Sequence, residues 1–270
     1  MPTLHPTALV DPQADLAADV TVGPYAVIGP RVRLGPGTTI GPHVILDGQT
    51  TLGARCRISA GAVIGAASQD LKATGRPGAL LIGDDNIIRE YATLSCGTAA
   101  GLSTRVGHGN LIMAYAHVAH DCVVGNHCVI ANNGTLAGHV TLEDSVIVGG
   151  LAAVHQFVRI GRLAIVGGCS KVVQDVVPFA MADGHPARIY GVNVIGLRRA
   201  GITPAARREL QAAFRVLFGR GLTVVGARRA LERQPGDSPE VAQLVAFLRQ
   251  SRRGLCRGIR REAATTPVLG

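Results

Sequence analysis

The sequence predicts an all-β solenoid followed by a C-terminal α-helical domain, and three observations support this prediction. An aliphatic residue recurs at every sixth position from Leu4 to Val172, with misfits only at Asp70, Arg76 and Ala100. Glycine often follows this residue directly, and a small or β-branched residue often stands two places before it. Neither the helical period of 3.6 residues nor simple strand alternation explains a strict period of six.

Each hexad is predicted to supply one short strand and one corner of a prism. The aliphatic side chain points inward, and the glycine after it lets the backbone turn. Three hexads complete one coil, and the parallel strands of successive coils stack about 4.8 Å apart. Each coil buries its inner face against its neighbours, as the repeats of a solenoid protein do. Aromatic residues make up only 3% of the chain and there is no Trp, which favours a core of many small, similar layers.

Two stretches interrupt the hexads without losing their phase, near 66–80 and 97–105. We expect them to be loops that leave the prism, and loops on a rigid scaffold often carry function. The predicted domains are a β-helix over 1–190 and a helical domain over 191–270, whose basic tail could be disordered.

Helix signals begin after a Gly- and Pro-containing connector at 184–195. Thr203-Pro204 and Ser238-Pro239 each combine an N-cap residue with a proline at the first helical position. A further helix is expected over 223–233. The chain therefore predicts three helices after the solenoid.

The bulk properties favour a cytoplasmic protein with an acidic partner. The net charge is +9, from 27 Lys and Arg against 18 Asp and Glu, and much of the excess lies in 196–262. Such a surface suits a nucleotide, an acidic carrier protein, nucleic acid or a membrane face, or is simply a solvated helical face. The six cysteines form no CxxC pair and read as small packing residues. We see no signal peptide and no apolar stretch long enough to span a membrane.

Three histidines fall in successive coils of the predicted prism. His120, His139 and His155 each follow a core residue by one to three positions, which places them near one corner at a spacing of about 4.8 Å. A neutral imidazole is a natural general base, and Asp121 could orient it. The alternatives are a structural histidine ladder and a zinc site, whose ligands could be His117, His120 and His139.

Polar groups near these histidines could stabilise negative charge or bind a polar ligand. The backbone N–H at Gly138 lies in a tight turn where it could stabilise an oxyanion. The side-chain amide of Gln156 suits hydrogen bonding to a sugar or an amide.

Several segments resemble one known family. They are NLIMAYAHVAHDCVVGNHCVIANNGTLAGHV (110–140), AVHQFVRIG (153–161), QDLK (69–72) and GVNVIGLRR (191–199). The chain is similar in these segments to the UDP-N-acetylglucosamine O-acyltransferases, which are hexapeptide-repeat enzymes, and the likeness covers nearly its whole length.

The resemblance implies a homotrimer of left-handed parallel β-helices with active sites between neighbouring subunits. The handedness follows only from this likeness, since ordinary crossovers are right-handed. The implied reaction moves an (R)-3-hydroxyacyl chain from acyl carrier protein to the glucosamine 3-position of UDP-N-acetylglucosamine, the first step of lipid A biosynthesis. It implies no cofactor, no metal and no nucleic-acid partner.

The resemblance also implies roles for single residues. His120 corresponds to the general base, Asp121 to the residue that orients it, and Gly138 to the oxyanion donor. The implied substrate-binding residues are Gln69, Asp70, Lys72, His117, His139, His155, Gln156, Gly168, Asn193 and Arg199. Among them, Gly168 corresponds to the far end of the acyl groove, and Asn193 and Arg199 to the uracil and phosphate ends.

The chain departs from the family pattern TIHRGT, where it reads TLSCGT with Ser95 and Cys96 in place of His and Arg. This departure leaves open a 3-amino sugar as acceptor. A second alternative is a zinc hydratase similar to the γ-class carbonic anhydrases, which are also β-helices that carry histidines. The resemblance implies no role for residues 258–270.

Overall fold

The structure is a computed structural model that describes residues 1–73, 75–219, 221–233 and 238–259. Most of the chain winds into a parallel β-helix of short strands. Nearly all of the predicted tail at 258–270 lies outside the described residues.

The solenoid contains short strands that follow one another at the sides of a triangular prism. In chain order they are β1 (Thr3–Leu4), β2 (Leu9–Val10), β3 (Asp15–Leu16), β4 (Thr21–Val22), β5 (Val27–Ile28), β6 (Val32–Leu34), β7 (Thr39–Ile40), β8 (Ile45–Leu46), β9 (Gln49–Leu52), β10 (Arg57–Ile58), β11 (Val63–Ala66), β12 (Ala79–Ile82), β13 (Ile87–Ile88), β14 (Thr93–Ser95), β15 (Ser103–Val106), β16 (Leu111–Ile112), β17 (His117–Val118), β18 (Val123–Val124), β19 (Val129–Ile130), β20 (Thr135–Leu136), β21 (Thr141–Leu142), β22 (Ile147–Val148), β23 (Ala153–Val154), β24 (Arg159–Ile160), β25 (Ile165–Val166), β26 (Lys171–Val172), β27 (Ala180–Gly184) and β28 (Ala187–Val192).

Every third strand belongs to the same parallel sheet, so the prism has three sides. Sheet A begins at β1, sheet B at β2 and sheet C at β3. In a regular coil, Val22 pairs with Ile40, the core residue three hexads further along the chain. Across the interruptions, Ile64 pairs with Leu94 and Leu94 with Val118, so these two coils are longer. Each interruption lengthens its coil by a whole number of hexads. The aliphatic residues after it therefore keep the same six-residue phase.

The predicted inward positions form the core. From Val22 to Val172 the aliphatic hexad residues are buried, in one continuous hydrophobic cluster. In the first coil Leu4 is exposed and Val10 and Leu16 are only half-buried, because a neighbouring coil covers them on one side alone. The solenoid interior is thus built from Val, Ile, Leu, Ala and Cys, as the aromatic-poor composition requires.

Except at Gly65, where φ is 87°, the predicted reason for the hexad glycines is wrong. The left-handed backbone conformation falls three places after the core residue, at non-glycine residues such as Tyr25 and His43, both with φ of 57°. Glycine directly after the core residue has no positive φ at Gly23 or Gly35. A Cβ on Gly35 would lie 2.6 Å from the carbonyl carbon of Gly53 in the next coil. These glycines are therefore required by the close stacking of coils, and the turn itself lies further on.

The solenoid ends in a hairpin that the hexad pattern did not reveal. β27 continues sheet A by pairing in parallel with β25, and β28 returns antiparallel to β27. These strands occupy much of the segment predicted to be a connector, because they are held by backbone pairing to the last coil.

The helices are α1 (Val194–Arg199), α2 (Pro204–Phe214), α3 (Val224–Arg233) and α4 (Pro239–Gln250), with a π-helical turn at Arg215–Gly219 after α2. Thr203 and Ser238 cap α2 and α4 as predicted, and each accepts a backbone N–H bond. The predicted helix at 223–233 is present as α3, whereas α1 was not predicted. No helix among the described residues is long and apolar enough to cross a membrane.

Buried polar contacts fix the helices to the last coils. Asp175, which is 2% exposed, accepts the backbone N–H of Arg159 at 2.9 Å and the hydroxyl of Ser251 at 2.7 Å. The Arg159 guanidinium lies 4.6 Å above the ring of Phe247 in α4. The position of the helical region is therefore set by the solenoid.

Candidate active site

The three predicted histidines lie on one corner of the prism, where the chain passes from sheet B to sheet C. His120, His139 and His155 follow β17, β20 and β23, which are consecutive neighbours in sheet B. We call these three residues the histidine ridge. The predicted vertical cluster is therefore present.

The two interruptions of the hexads leave the prism at this same corner. The first loop, residues 67–78, follows β11, and the second, residues 97–102, follows β14. β11, β14 and β17 are successive strands of sheet B, so both loops lie on the coils just below His120. Gly78 donates its backbone N–H to Gly97 at 2.9 Å, which joins the two loops.

His120 and Asp121 form a hydrogen-bonded pair in the turn after β17. Nδ1 of His120 lies 3.0 Å from Oδ2 of Asp121, and their side chains are only 12% and 8% exposed. An ionised carboxylate can only accept, so Nδ1 carries the hydrogen and Nε2 is left as an acceptor. A histidine held in this tautomer is suited to remove a proton from a substrate.

Asp121 is held from three directions. It adopts a left-handed φ of 58°, and its backbone N–H donates to Oγ1 of Thr104 at 2.8 Å. Its Oδ2 also accepts the hydroxyl of Thr98 at 2.8 Å. Burial alone would raise the pKa of Asp121, but the bonds from His120 and Thr98 outweigh it and the pKa lies below its usual range. The carboxylate is therefore ionised at neutral pH.

Gly138 lies directly against the His120 ring. A Cβ on Gly138 would come 2.5 Å from Nε2 of His120, so only glycine leaves room for the imidazole. Among the described residues we find no acceptor for the Gly138 backbone N–H. A free N–H beside the base is the arrangement that an oxyanion donor requires.

The next coils continue the ridge with aromatic contacts. The His139 ring meets His120 edge-on at 5.2 Å between centroids and stacks on Phe157 at 4.5 Å. Nε2 of His139 lies 3.8 Å from Oδ2 of Asp121. One coil further on, His155 and Gln156 are exposed. The ridge thus presents a half-buried end at His120 and an open end at His155.

His117 lies on the outer face of sheet B rather than on the ridge. Its Nδ1 is 2.7 Å from the hydroxyl oxygen of Thr93. Burial, and then the nearby charge of His120, lower the pKa of His117 below its usual value. His117 is therefore a neutral ring that can donate or accept one further hydrogen bond.

The group with metal-ligand spacing differs from the one considered in the sequence. His120, Asp121 and His139 offer ligand atoms within 4.8 Å of one another, and His117 is not among them. The hydrogen bond between His120 and Asp121 already uses one polar atom of each side chain. Such a hydrogen-bonded pair suits acid–base chemistry better than metal binding, which needs three free ligand atoms.

The first loop carries three of the predicted substrate residues. Asp70 accepts the backbone N–H of Lys72 at 2.9 Å, which shapes the loop, and Gln69 and Lys72 are exposed. No hydrogen bond in the described part of the chain joins these residues to the histidine ridge. They share its corner, two coils below His120.

The remaining predicted substrate residues lie elsewhere in the chain. Gly168 is exposed on a different corner, between sheets A and B. Asn193 caps α1, accepting the Gly196 N–H and donating to the Leu163 carbonyl, both at 2.9 Å. Arg199 is exposed in the last turn of α1. Within one chain the structure does not bring these three residues to the ridge.

Ser95 and Cys96, which replace the family's His and Arg, are both buried. The Cys96 thiol donates to the carbonyl of Gly65 at 3.2 Å, and burial raises its pKa. Because these side chains pack into the coil at the start of the second loop, they present no charged group to the ridge.

Two residues around Asp121 were missed from the sequence. Thr98 and Thr104 contact it from the second loop and from β15. The break in the hexads indicated this loop in the sequence. Predicting its contact with Asp121 also required knowing which coil the loop covers, because the contacting residues lie far apart in the chain. Counting the phase along sheet B would have supplied that information.

Known proteins resemble this chain along nearly its whole length. Residues 175–256 match the family described as UDP N-acetylglucosamine O-acyltransferase, domain 2, and residues 31–66 and 103–138 match the bacterial transferase hexapeptide family. The acyl-[acyl-carrier-protein]–UDP-N-acetylglucosamine O-acyltransferase of Alkalilimnicola ehrlichii is 50% identical over 95% of this chain and 100% of its own. That of Myxococcus xanthus is 52% identical over the same shares.

Solved structures give the same result. The UDP-N-acetylglucosamine acyltransferase of Francisella novicida matches with a TM-score of 0.92 and 34% identity over 94% of each chain. The O-acyltransferase of Moraxella catarrhalis matches with a TM-score of 0.90 and 40% identity, over 94% of this chain and 99% of its own. The fold is a left-handed parallel β-helix, as predicted.

These relatives are named O-acyltransferases, so they do not favour the 3-amino acceptor or the zinc hydratase that the sequence left open. They align with nearly all of this chain and of their own length, and this chain itself matches the hexapeptide and C-terminal family models. The chain belongs to the acyl-[acyl-carrier-protein]–UDP-N-acetylglucosamine O-acyltransferase family.

Proposed function

We propose that this chain transfers an (R)-3-hydroxyacyl group from acyl carrier protein to the 3-hydroxyl of UDP-N-acetylglucosamine, which opens lipid A biosynthesis. The observation that carries the proposal is the His120–Asp121 pair with the Gly138 N–H against its ring. This arrangement combines a base, an orienting carboxylate and an oxyanion donor, within a chain of the acyltransferase family.

The reaction begins with proton removal by His120. Nε2 takes the proton of the sugar 3-hydroxyl as that oxygen attacks the thioester carbonyl, and the ring becomes an imidazolium whose charge Asp121 stabilises. The carbonyl oxygen gains negative charge, which the Gly138 N–H binds. When the tetrahedral intermediate collapses, the carbon–sulfur bond breaks and His120 returns its proton to the thiolate. The products are the 3-O-acyl sugar nucleotide and the free thiol of the carrier.

Other predicted residues would bind substrate around this centre. His117, with a neutral ring, and the exposed His155 and Gln156 offer hydrogen bonds to the sugar and the acyl chain. The first loop places Lys72 at the same corner, where its ammonium would meet phosphate. The surplus of Arg in the helical region would receive an acidic carrier protein.

We further propose that the active unit is a homotrimer. The predicted substrate residues Gly168, Asn193 and Arg199 lie away from the histidine ridge of the same chain, so a second copy is needed to bring them together. Leu71, at the first loop, is 101% exposed, and a neighbouring solenoid would cover it. Closed symmetry is the usual state of such assemblies.

The proposed location is the cytoplasm. Five of the six cysteines are buried as free thiols, and burial raises the pKa of Cys122 to about 12. Such thiols need no disulfide partner, which fits a reducing compartment.

A direct assay tests the proposal. Purified protein is incubated with (R)-3-hydroxyacyl carrier proteins and UDP-N-acetylglucosamine, and the sugar nucleotide is analysed by mass spectrometry with fragmentation to locate the acyl group. We expect an ester at the 3-position, and the same rate after dialysis against a strong chelator. Absence of any acyl product, or loss of the product on chelation that zinc restores, would contradict the proposal.

A further inference from the structure

Thr98 contacts the active site from outside the set of residues that the reaction uses directly. It lies in the second loop, on the coil below His120. Its hydroxyl donates to Oδ2 of Asp121 at 2.8 Å, and its backbone N–H lies 3.3 Å from each carboxylate oxygen. Oδ2 is also the oxygen that accepts Nδ1–H of His120.

The loop around Thr98 is shaped to meet this carboxylate. A Cβ on Gly97 would lie 2.9 Å from Oδ1 of Asp121, so a side chain at that position would push the carboxylate away. On the far side of the loop, Thr104 is fully buried and accepts the Asp121 backbone N–H. The second loop therefore closes on Asp121 from both of its ends.

We propose that Thr98 is a positioning residue for acyl transfer, acting through Asp121 on His120. Its hydroxyl and N–H give the carboxylate two donors in addition to the Nδ1–H of His120. The carboxylate cannot then rotate away or take up a proton. His120 stays in the tautomer with hydrogen on Nδ1, and its Nε2 lone pair remains directed at the substrate. The kinetic part of this inference rests on the proposed function.

The loop does not depend on the Thr98 hydroxyl for its own shape. Gly97 exchanges backbone bonds with Gly78 and Ala79, at 2.9 and 3.1 Å, and Leu102 donates to Ala99 at 3.0 Å. Removing the hydroxyl should therefore leave the loop in place, which makes its effect on the dyad measurable.

The test compares Thr98→Val, which keeps the shape but removes the hydroxyl, with Thr98→Ser, which keeps the hydroxyl. Ser103→Ala is the matched control, because that hydroxyl lies next to the second loop and its only side-chain hydrogen bond among the described residues is with Arg105. A hydrogen bond to a charged group is worth roughly ten- to a hundredfold in rate. We expect Thr98→Val to lower kcat by about this factor with little change in KM, Thr98→Ser to recover most of it, and Ser103→Ala to match wild type.

The same substitution is then made in an Asp121→Ala background. If Thr98 acts through Asp121, Thr98→Val costs nothing further there, because coupled residues are not additive. An equal loss in both backgrounds overturns the proposal, as does a wild-type kcat in the single variant.

A second measurement tests the positioning role even if the sugar acceptor or the acyl donor differs from the one proposed. Nitrogen-15 labelled histidine reports which ring nitrogen carries hydrogen, with the His120 signals identified by their absence in His120→Ala. We expect the Nδ1–H form in wild type and a mixture of tautomers in Thr98→Val. An unchanged tautomer overturns the positioning role, whereas failure of the wild-type protein to acylate UDP-N-acetylglucosamine contradicts only the proposed function.

Discussion

The imidazole of His120 depends on a glycine in the next coil. Gly138 leaves the space that the ring occupies, and its N–H lies beside the ring. The sequence identified both residues, but it assigned Gly138 to the oxyanion alone. The requirement for glycine at this position became visible only from the stacking of the two coils in the structure.

Gly138→Ala should therefore inactivate the protein without unfolding it. The added methyl group would displace the ring, and a shift of about 1 Å at a reacting group can cost about a hundredfold in rate. The measurement is kcat/KM with UDP-N-acetylglucosamine. Gly219→Ala is the control, because a Cβ there meets nothing within 4 Å. Full activity in Gly138→Ala would show that the ring is not held as described.

Buried titratable groups give a dependence of stability on pH. Because burial lowers the pKa of His117, the unfolded chain binds a proton at higher pH than the folded one. The contribution of the neutral His117 ring to the free energy of unfolding is complete above the ordinary histidine pKa. It decreases as the pH falls through that value. Asp121, whose folded pKa is also lowered, loses its contribution only in a more acidic range, as the pH falls through that pKa.

The change His117→Gln tests this account. The variant lacks the histidine proton uptake, so its melting temperature should fall less than that of wild type when the pH is lowered from 7.5 to 5.5. Thermal unfolding at several pH values gives the comparison, with His43→Gln, an exposed corner histidine, as the control. An equal fall in wild type and His117→Gln would contradict the assignment.

At the level of elements, the period of six predicted the strands, their stacking and the inward residues. It also predicted where the loops leave the prism. It did not reveal the hairpin of β27 and β28 or helix α1, because these depend on pairing with the last coil and on the Asn193 cap. Such contacts have no period and are therefore not visible in a repeat.

The stacking glycines give a prediction for the coil. A Cβ on Gly35 would collide with backbone atoms of Gly53 and Ala54, which cannot move without separating the coils. We expect Gly35→Ala to destabilise the protein by about 1–3 kcal/mol or more. Urea unfolding measures this loss. Gly101→Ala, in the open second loop with φ of 86°, should cost only about 1 kcal/mol of backbone strain.

If Gly35→Ala unfolds at the wild-type urea midpoint, the close approach of coils does not explain the hexad glycines. The hexad glycines would then serve to let the backbone turn, as predicted from the sequence.

At the scale of the whole molecule, the site is divided between distant parts of one chain. The histidine ridge occupies one corner, whereas Gly168 lies on another and Arg199 lies in α1. The sequence named these residues through a family likeness, and their separation within one chain is the reason for the proposed trimer.

Mixed assemblies test the proposed trimer. His120→Ala and Arg199→Ala are each expected to lower activity strongly, because each removes one side of the same site. If the two sides come from different copies, trimers that contain both variants regain about a third of their sites, because one of the three interfaces then joins the two intact residues. Co-expression with two affinity tags, followed by the acyl-transfer assay, measures this recovery. No recovery in a confirmed mixed trimer would place both residues in the site from one chain.

The most direct test of the account is acyl transfer by wild type and His120→Ala, measured with (R)-3-hydroxyacyl carrier protein and UDP-N-acetylglucosamine. General base catalysis contributes about 10²- to 10⁴-fold, so kcat should fall by that factor while circular dichroism and melting temperature stay near wild type. A His120→Ala variant that is folded and turns over at the wild-type rate would contradict the assignment of His120 as the base.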